Sequence, residues 1–267
     1  MAEQLLVEKN GHIVTLTINR PETRNPLGGA GDGDAFAAAA NDINNDPEVR
    51  CVILTGAGKA FSAGGDLKAM REKAGAFGEP PVKQRDAIYR NNIHRVVSSL
   101  WNLEVPTIAA INGPAIGLGN DVACTCDIRI AANTAKFGAT FLKIGLIPGD
   151  GGSWLLPRTI GWSNAARLFF TGDLIDADTA LSWGLVSELH EPDALMAAAQ
   201  ETAERICKQP PNSLRMTKKL MREGMNTSFE TIMEMSAAMQ ILVHQTEDHA
   251  EAVDAFFEKR EATFTGR

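Results

Sequence analysis

Phe61-Ser62-Ala63-Gly64-Gly65-Asp66-Leu67 is one of two glycine-rich runs that decide the fold of this chain; the other is Ile111-Asn112-Gly113-Pro114-Ala115-Ile116-Gly117-Leu118-Gly119-Asn120-Asp121. Each run follows a strand-like segment and leads into a segment compatible with a helix. The first N–H groups of a helix have no acceptor within it, so a strand-to-helix turn can aim them at a ligand. Two such turns that converge would form an oxyanion hole.

The composition is that of an ordinary globular protein. The chain has 267 residues, of which 44% are hydrophobic and 22% are charged, which predicts one main domain with a substantial core. A net charge of -7 argues against nucleic acid or an anionic membrane as partner. No apolar run reaches the ~18 residues of a membrane span, and no signal-peptide pattern opens the sequence, so we expect a cytoplasmic protein.

The cysteines and histidines predict no metal site. The four cysteines lie in apolar or helical stretches, which indicates reduced intracellular thiols: Cys51, Cys124, Cys126 and Cys207. The histidines show no metal pattern, because His244 and His249 are five residues apart, one more than helical i, i+4 spacing.

The first part of the chain alternates between strand and helix patterns. Asn10-Gly11 suits a tight hairpin turn between Leu5–Lys9 and Ile13–Asn19. An alanine-rich helix is predicted over Asp34–Asn45, and a buried strand over Val49–Thr55.

A mobile loop is predicted over Gly75–Pro81, followed by a helix over Gln84–Trp101. Thr107–Ile111 and Ile128–Ala132 then read as buried strands. This alternation predicts a largely parallel sheet, whereas the chain beyond Ser163 reads mainly as helices.

Two nucleotide-binding motifs are present only in part. Gly117-Leu118-Gly119 lacks the third glycine of a dinucleotide fingerprint, because Val122 stands there. Gly56-Ala57-Gly58-Lys59 lacks the first glycine of a phosphate loop, replaced by Ile53, and the Mg²⁺-binding hydroxyl, replaced by Ala60.

Four stretches in register resemble the enoyl-CoA hydratase/isomerase, or crotonase, superfamily. They are the Phe61–Leu67 run, Ala110-Ile111-Asn112-Gly113 through Cys126-Asp127-Ile128, Gly145-Leu146-Ile147-Pro148-Gly149, and Phe256-Phe257-Glu258-Lys259-Arg260. The resemblance implies an α/β fold, a crotonase-like spiral of ββα units over residues 1–200, with a C-terminal helical region over 201–267 for oligomerisation and as a lid.

The resemblance also implies an acyl-CoA thioester substrate, a place in fatty acid metabolism, and trimers or hexamers made of two trimers. It implies no cofactor, since coenzyme A is part of the substrate. By position, the thioester oxygen would accept hydrogen bonds from the backbone N–H groups of Gly65 and Leu118. Fixed donors of this kind stabilise the enolate that forms when a proton leaves C2.

Contacts with coenzyme A carry over by position as well. Five residues match the stretch that binds the adenine in the family: Ala60, Ser62, Ala63, Asp66 and Leu67. Arg24 lies where a basic residue often meets the phosphates, and Lys259 matches a C-terminal lysine that reaches the coenzyme A of a neighbouring subunit.

The sequence departs from the family at the acid/base groups. Family hydratases use two glutamates around one water, and these fall on Asp121 and Phe141. Phe141 cannot transfer a proton, and we expect it to contact the substrate instead. Asp121 then becomes the single candidate acid/base, and an apolar pocket would raise the pKa of its carboxyl. The alternative is a first-turn aspartate that interacts with the helix dipole.

Asp150 is a second candidate. Some relatives carry a catalytic aspartate at the position of Gly149, one residue earlier. Asp150 points into the pocket on one interpretation and caps the following helix on the other.

Three hypotheses remain. The favoured one is double-bond isomerisation through a thioester enolate, with Asp121 as acid/base. The second is hydration of a 2-enoyl-CoA by Asp121 and Asp150, and the third is a non-catalytic protein that binds coenzyme A.

Overall fold

The structure is a computed structural model that describes residues 3–267, so the first two residues of the predicted 1–200 core lie outside it. The strands are β1 (Leu5–Asn10), β2 (Ile13–Ile18), β3 (Pro26–Leu27), β4 (Cys51–Gly56), β5 (Gly64–Gly65), β6 (Thr107–Ile111), β7 (Ala115–Ile116), β8 (Ile128–Ala132), β9 (Lys136–Gly138), β10 (Leu174–Asp176) and β11 (Glu188–His190). The helices are α1 (Asp32–Asn45), α2 (Leu67–Glu72), α3 (Pro81–Gln84), α4 (His94–Trp101), α5 (Leu118–Thr125), α6 (Gly152–Thr171), α7 (Ala177–Ser182), α8 (Leu195–Cys207), α9 (Pro211–Gly224), α10 (Phe229–His244) and α11 (Glu247–Glu258).

The main sheet has six strands in the order β1-β2-β4-β6-β8-β11. The β1–β2 hairpin is antiparallel, and the other neighbouring pairs are parallel. Every residue of the central strands β4 and β6 is buried, because elements cover both faces of a parallel sheet. The hairpin, the parallel strands and helix α1 are therefore confirmed.

Two apolar clusters sandwich this sheet. The larger packs α1, α4, α5 and α6 on one face and includes Phe36, Leu100 and Val122. The smaller packs α8 on the opposite face and includes Leu195 and Ile53. Helix α8 spans residues 200 and 201, so it crosses the boundary predicted between core and C-terminal region.

Two small sheets hold the glycine-rich runs. Strand β5, which is Gly64–Gly65, pairs with β3 in parallel. Strand β7, which is Ala115–Ile116, lies at the edge of a sheet ordered β10-β9-β7. Both runs are thus fixed by backbone pairing just before their helices begin.

The structure differs from the sequence-based expectations in three places. Gly75–Gly78 forms a short 3-10 helix, where a loop was expected. Non-helical backbone angles at Gly161 (φ +77°) divide α6 into two helical parts, and only the second lies in the region beyond Ser163 that the sequence assigned to helices. Strands β10 and β11 are too short for their alternation to stand out in the sequence.

Polar contacts fix the end of the C-terminal region, one to the core and two within the region itself. Arg50 donates from Nη2 to the carbonyl of Phe264 at 2.7 Å. The buried carboxylate of Asp248 accepts from the N–H groups of Thr265 and Gly266 at 2.7 and 2.9 Å. In contrast, α10 has no buried residue in the single chain.

Within residues 3–267, no helix combines the length and apolar character that crossing a membrane requires.

Candidate active site

The two glycine-rich turns are in direct contact. Ser62 donates from its N–H to the carbonyl of Pro114 at 3.1 Å, and its own carbonyl accepts from the N–H of Ile116 at 3.0 Å. A Cβ placed on Gly119 would lie 2.4 Å from the carbonyl oxygen of Ser62. A glycine is therefore required at 119 for helix α5 to approach the first run this closely.

Gly64 stands at the junction of the two turns. Its φ is +92°, and a Cβ there would lie 2.6 Å from the carbonyl oxygen of Ile116 and 3.6 Å from the backbone nitrogen of Leu118. Leu118 is the first residue of α5, so its N–H has no acceptor within the helix. The structure thus brings Leu118 next to the Gly64–Gly65 strand, as the hypothesis of an oxyanion hole requires.

The loop that carries Arg24 lies along the first run. The carbonyl of Arg24 accepts from the N–H of Ala63 at 2.9 Å. Asn25, which is fully buried, donates from Nδ2 to the carbonyls of Ala57 and Ala60 at 2.8 and 2.7 Å. The side chain of Arg24 remains exposed beside this group. Asn25 was not predicted as a site residue, although its side chain joins the Arg24 loop to the chain just before the first glycine-rich run.

The other predicted coenzyme A contacts divide between two places. Asp66 caps α2 by accepting from the N–H of Ala69 at 2.9 Å, and Leu67 beside it is 54% exposed. Lys259 ends α11, where it is exposed. No ion pair or side-chain hydrogen bond within residues 3–267 joins Lys259 to the Arg24 loop.

Asp121 lies in the first turn of α5 with its carboxylate fully buried. Neither carboxylate oxygen has a hydrogen-bond partner within the described residues, and the same holds for both amide atoms of the neighbouring Asn120. A Cβ placed on Gly152, the first residue of α6, would lie 2.2 Å from Oδ1 of Asp121. The carboxylate therefore packs against the start of a second helix, which requires glycine at that point.

Burial raises the pKa of Asp121 well above its usual range, and the charge of Asp150 raises it further. The N–H of Gly152 and the amide of Asn120 oppose this rise, although neither completes a hydrogen bond of good geometry with the carboxylate. Burial and the charge of Asp150 both favour the protonated form of Asp121 compared with an ordinary aspartate.

Asp150 is 7% exposed, and burial raises the pKa of its carboxyl to about 6, while the charge of His94 opposes the rise. The N-cap of α6 is Gly151, with no side-chain cap, so Asp150 does not cap that helix. The preceding loop is held by His94, whose Nε2 lies 2.8 Å from the carbonyl oxygen of Gly149. The capping interpretation of Asp150 is therefore wrong, and the pocket interpretation stays a prediction.

Phe141 is buried beside the second turn. Its ring carbon Cζ lies 3.7 Å from the position that a Cβ on Gly117 would take. An apolar ring therefore covers the turn at the position where family hydratases carry their second glutamate.

Two cavities lie away from these residues. One of about 980 Å³ separates the β1–β2 hairpin from α1, and one of about 670 Å³ lies between α6 and α9. Neither is lined by Asp121 or Asp150. The candidate site is thus defined by the convergence of the turns and by the buried carboxyls.

Residues 3–267 contain no group of three or more His, Cys, Asp and Glu side chains that could hold a metal ion. Burial raises the pKa of Cys126 to about 11 and that of Cys124 to about 12, so both thiols are protonated.

Comparison with known proteins places this geometry in a family. Residues 8–267 match the enoyl-CoA hydratase/isomerase family. The chain belongs to this family. It is 38% identical over 260 residues to the short-chain-enoyl-CoA hydratase of Clostridium acetobutylicum, covering 96% of this chain and 95% of that one.

Other relatives extend the comparison. The chain is 33% identical over 267 residues to the 1,2-epoxyphenylacetyl-CoA isomerase of Escherichia coli, with both chains covered in full. It also superimposes on the crystal structure of an enoyl-CoA hydratase from Bacillus anthracis with a TM-score of 0.92, at 34% identity, covering 99% of this chain and 100% of that one. The protein is thus an acyl-CoA-processing enzyme of the crotonase type with the crotonase fold.

Proposed function

We propose that this enzyme is an enoyl-CoA isomerase that moves a double bond through a thioester enolate. One observation carries the proposal: the fully buried Asp121 belongs to the same helix turn as Leu118, whose N–H lies beside Gly64–Gly65. The N–H groups of Gly65 and Leu118 would donate to the thioester oxygen. Each such donor is worth ~3 to 4 kcal/mol in the transition state.

The two aspartates supply the proton transfers. At neutral pH Asp150, whose pKa is about 6, is mainly ionised, whereas burial raises the pKa of Asp121 well above its usual range and favours its protonated form. Asp150 would remove a proton from C2 of a 3-enoyl-CoA, and the electron pair would pass to the thioester oxygen. Asp121 would then protonate C4 as the double bond forms between C2 and C3. The proton held by Asp150 would then return to Asp121 and restore both carboxyls, so the net reaction moves one proton and one double bond and needs no redox cofactor.

The test is conversion of 3-hexenoyl-CoA to 2-hexenoyl-CoA by the wild type and by Asp121→Asn and Asp150→Asn. We expect each substitution to reduce kcat at least 100-fold, in line with the loss of an acid/base group. Asp178→Asn, which alters an exposed aspartate on α7, is the matched control and should keep full activity. Full turnover by Asp121→Asn, or tight binding without turnover by the wild type, would refute the proposal.

Hydration of a 2-enoyl-CoA is the second candidate. It is favoured by the second buried carboxyl, Asp150, and by relatives such as the crotonyl-CoA hydratase of Syntrophomonas wolfei, at 35% identity over 273 residues. Hydration requires both carboxyls around one water. A wild type that hydrates crotonyl-CoA faster than it isomerises 3-hexenoyl-CoA would favour this candidate.

We also propose that the C-terminal helices form a homo-oligomer, either a trimer or a dimer of trimers. Apolar side chains stand exposed on α10 and α11 in the single chain: Phe229 (72%), Ile241 (63%), Leu242 (60%), Phe256 (78%) and Phe257 (78%). Exposed large apolar side chains in such number are typical of an interface. Sedimentation analysis should give a mass of three or six chains, and a stable monomer would contradict the proposal.

A further inference from the structure

Tyr89 is the only tyrosine of the chain, and it lies on an unusual helical segment. Residues 85–93 form a π-helix that links α3 to α4. π-helical turns are rare, cost hydrogen-bond geometry and occur frequently at functional sites. No proline or glycine lies within this segment to explain the wider turn.

The ring of Tyr89 packs onto the loop that carries Asp150. Its Cε1 lies 3.6 Å from the position of a Cβ on Gly149. The ring also packs, tilted by 57°, on the imidazole of His94 with 5.7 Å between centroids. Since His94 itself binds the carbonyl of Gly149, the phenol is anchored to this loop from two directions.

The hydroxyl of Tyr89 makes no hydrogen bond within residues 3–267, although the side chain is partly buried. Burial and the charge of Asp150 raise the pKa of Tyr89, so the phenol stays protonated and is a hydrogen-bond donor at neutral pH. The charge of Asp150 acts on Asp121 as well. Asp150 is therefore near both the phenol and the acid of the candidate site, and His94 holds the carbonyl of Gly149, the residue before it.

We propose that Tyr89 is a specificity-determining residue, whose hydroxyl donates a hydrogen bond to an oxygen on the acyl group of the bound thioester. The substrates selected are hydroxyacyl or oxoacyl thioesters, in preference to acyl groups of hydrocarbon alone. The physical reason is that an acyl chain without an oxygen covers this donor and leaves it unpaired, which costs binding free energy. The inference rests on the proposed function only in placing an acyl-CoA in this site.

The first experiment tests the placement of Tyr89. Because the chain has one tyrosine, the tyrosinate absorbance of the full-length protein titrates this residue alone. We expect a pKa above the usual tyrosine value in the wild type and a lower pKa in Asp150→Asn, which removes the neighbouring charge. Asp178→Asn should leave the titration unchanged. An identical titration in Asp150→Asn and wild type would overturn the placement.

The second experiment tests the selectivity by calorimetric binding of 3-hydroxybutyryl-CoA and butyryl-CoA. We expect the wild type to bind the hydroxylated ligand roughly 5- to 10-fold more tightly, the value of one hydrogen bond, and Tyr89→Phe to lose this preference. Thr171→Val, which removes an exposed hydroxyl at the end of α6, is the matched control and should keep it. An equal preference in Tyr89→Phe and wild type would overturn the inference.

The two proposals fail separately. Binding requires no turnover, so a selective but inactive enzyme would refute the isomerase proposal and leave the role of Tyr89 intact. An active enzyme whose Tyr89→Phe variant binds both ligands as the wild type does would refute only the role of Tyr89.

Discussion

The carboxylate of Asp121 lies against Gly152, so close that a Cβ at residue 152 would stand 2.2 Å from Oδ1 and 2.3 Å from Oδ2. Asp121 belongs to helix α5, and Gly152, the first residue of helix α6, packs against its carboxylate. A buried carboxyl without polar partners is costly to keep, and here it is maintained by the packing of two helix ends.

Gly152→Ala should destabilise the protein and abolish activity, because the new methyl group overlaps the Asp121 carboxylate. Overpacking of this kind costs ~1 to 3 kcal/mol of unfolding free energy. Denaturant unfolding and the 3-hexenoyl-CoA assay measure both effects. Gly224→Ala near the end of α9 is the matched control, since its Cβ would meet only ordinary contacts, the nearest being Ile232 Cγ1 at 3.7 Å. A fully active and equally stable Gly152→Ala variant would contradict the geometry.

Gly64→Ala should reduce kcat by about 100- to 1,000-fold, the typical loss when one oxyanion donor is displaced. The added Cβ would press on Ile116 O and lie in front of the Leu118 nitrogen. Gly75→Ala is the control, because Gly75 also has a positive φ, of +54°, but no atom within 4 Å of its Cβ position. Both variants bear the cost of a left-handed alanine, so a loss of kcat in Gly64→Ala alone separates the turn geometry from backbone strain.

Phe141→Glu should increase hydration of crotonyl-CoA relative to isomerisation. The substitution puts a carboxyl beside the second turn, where the ring now packs on Gly117. The buried carboxyl will also lower the stability. Phe141→Gln has nearly the same shape and cannot transfer a proton, so it should show the loss of stability without the gain in hydration. An equal gain in both variants would show that proton transfer by residue 141 is not the cause.

The dependence of stability on pH should reflect the raised pKa of Asp150. In the folded protein this pKa is about 6, above its unfolded value near 4, so the folded state holds the proton more tightly. The resulting stabilisation, of the order of 3 kcal/mol, is present below pH ~4 and is lost as pH rises through about 6. Asp121, whose pKa is also raised, extends the loss to higher pH.

Asp150→Asn should therefore gain thermal stability over the wild type as pH rises from 4 to 7, as followed by Tm. The wild-type kcat/KM should rise through pH ~6 as Asp150 ionises to become the base. Asp178→Asn should keep a constant difference in Tm from the wild type. A pH-independent difference for Asp150→Asn would mean that this carboxyl is not buried in solution.

The sequence predicted much of the fold because its signals are local. The hairpin follows from Asn10-Gly11, and the buried strand Cys51–Gly56 follows from its continuous apolar run. The short strands β10 and β11, of three residues each, carry no recognisable alternation and form only because a partner strand is present. Gly161, with a φ of +77°, divides α6 into two helical parts, and packing on the core holds the first part helical although it contains Gly152 and Pro157.

By itself, the sequence determined that two glycine-rich turns would precede helices and that Asp121 and Phe141 would stand at the two positions of the usual family glutamates. These features depend on residue type and on register along the chain. Only the tertiary structure decided which groups surround Asp121, namely Gly152 and the charge of Asp150, and that Tyr89 faces the same loop. The physical reason is that desolvation and electrostatic coupling depend on distances between segments far apart in the chain, which no local pattern encodes.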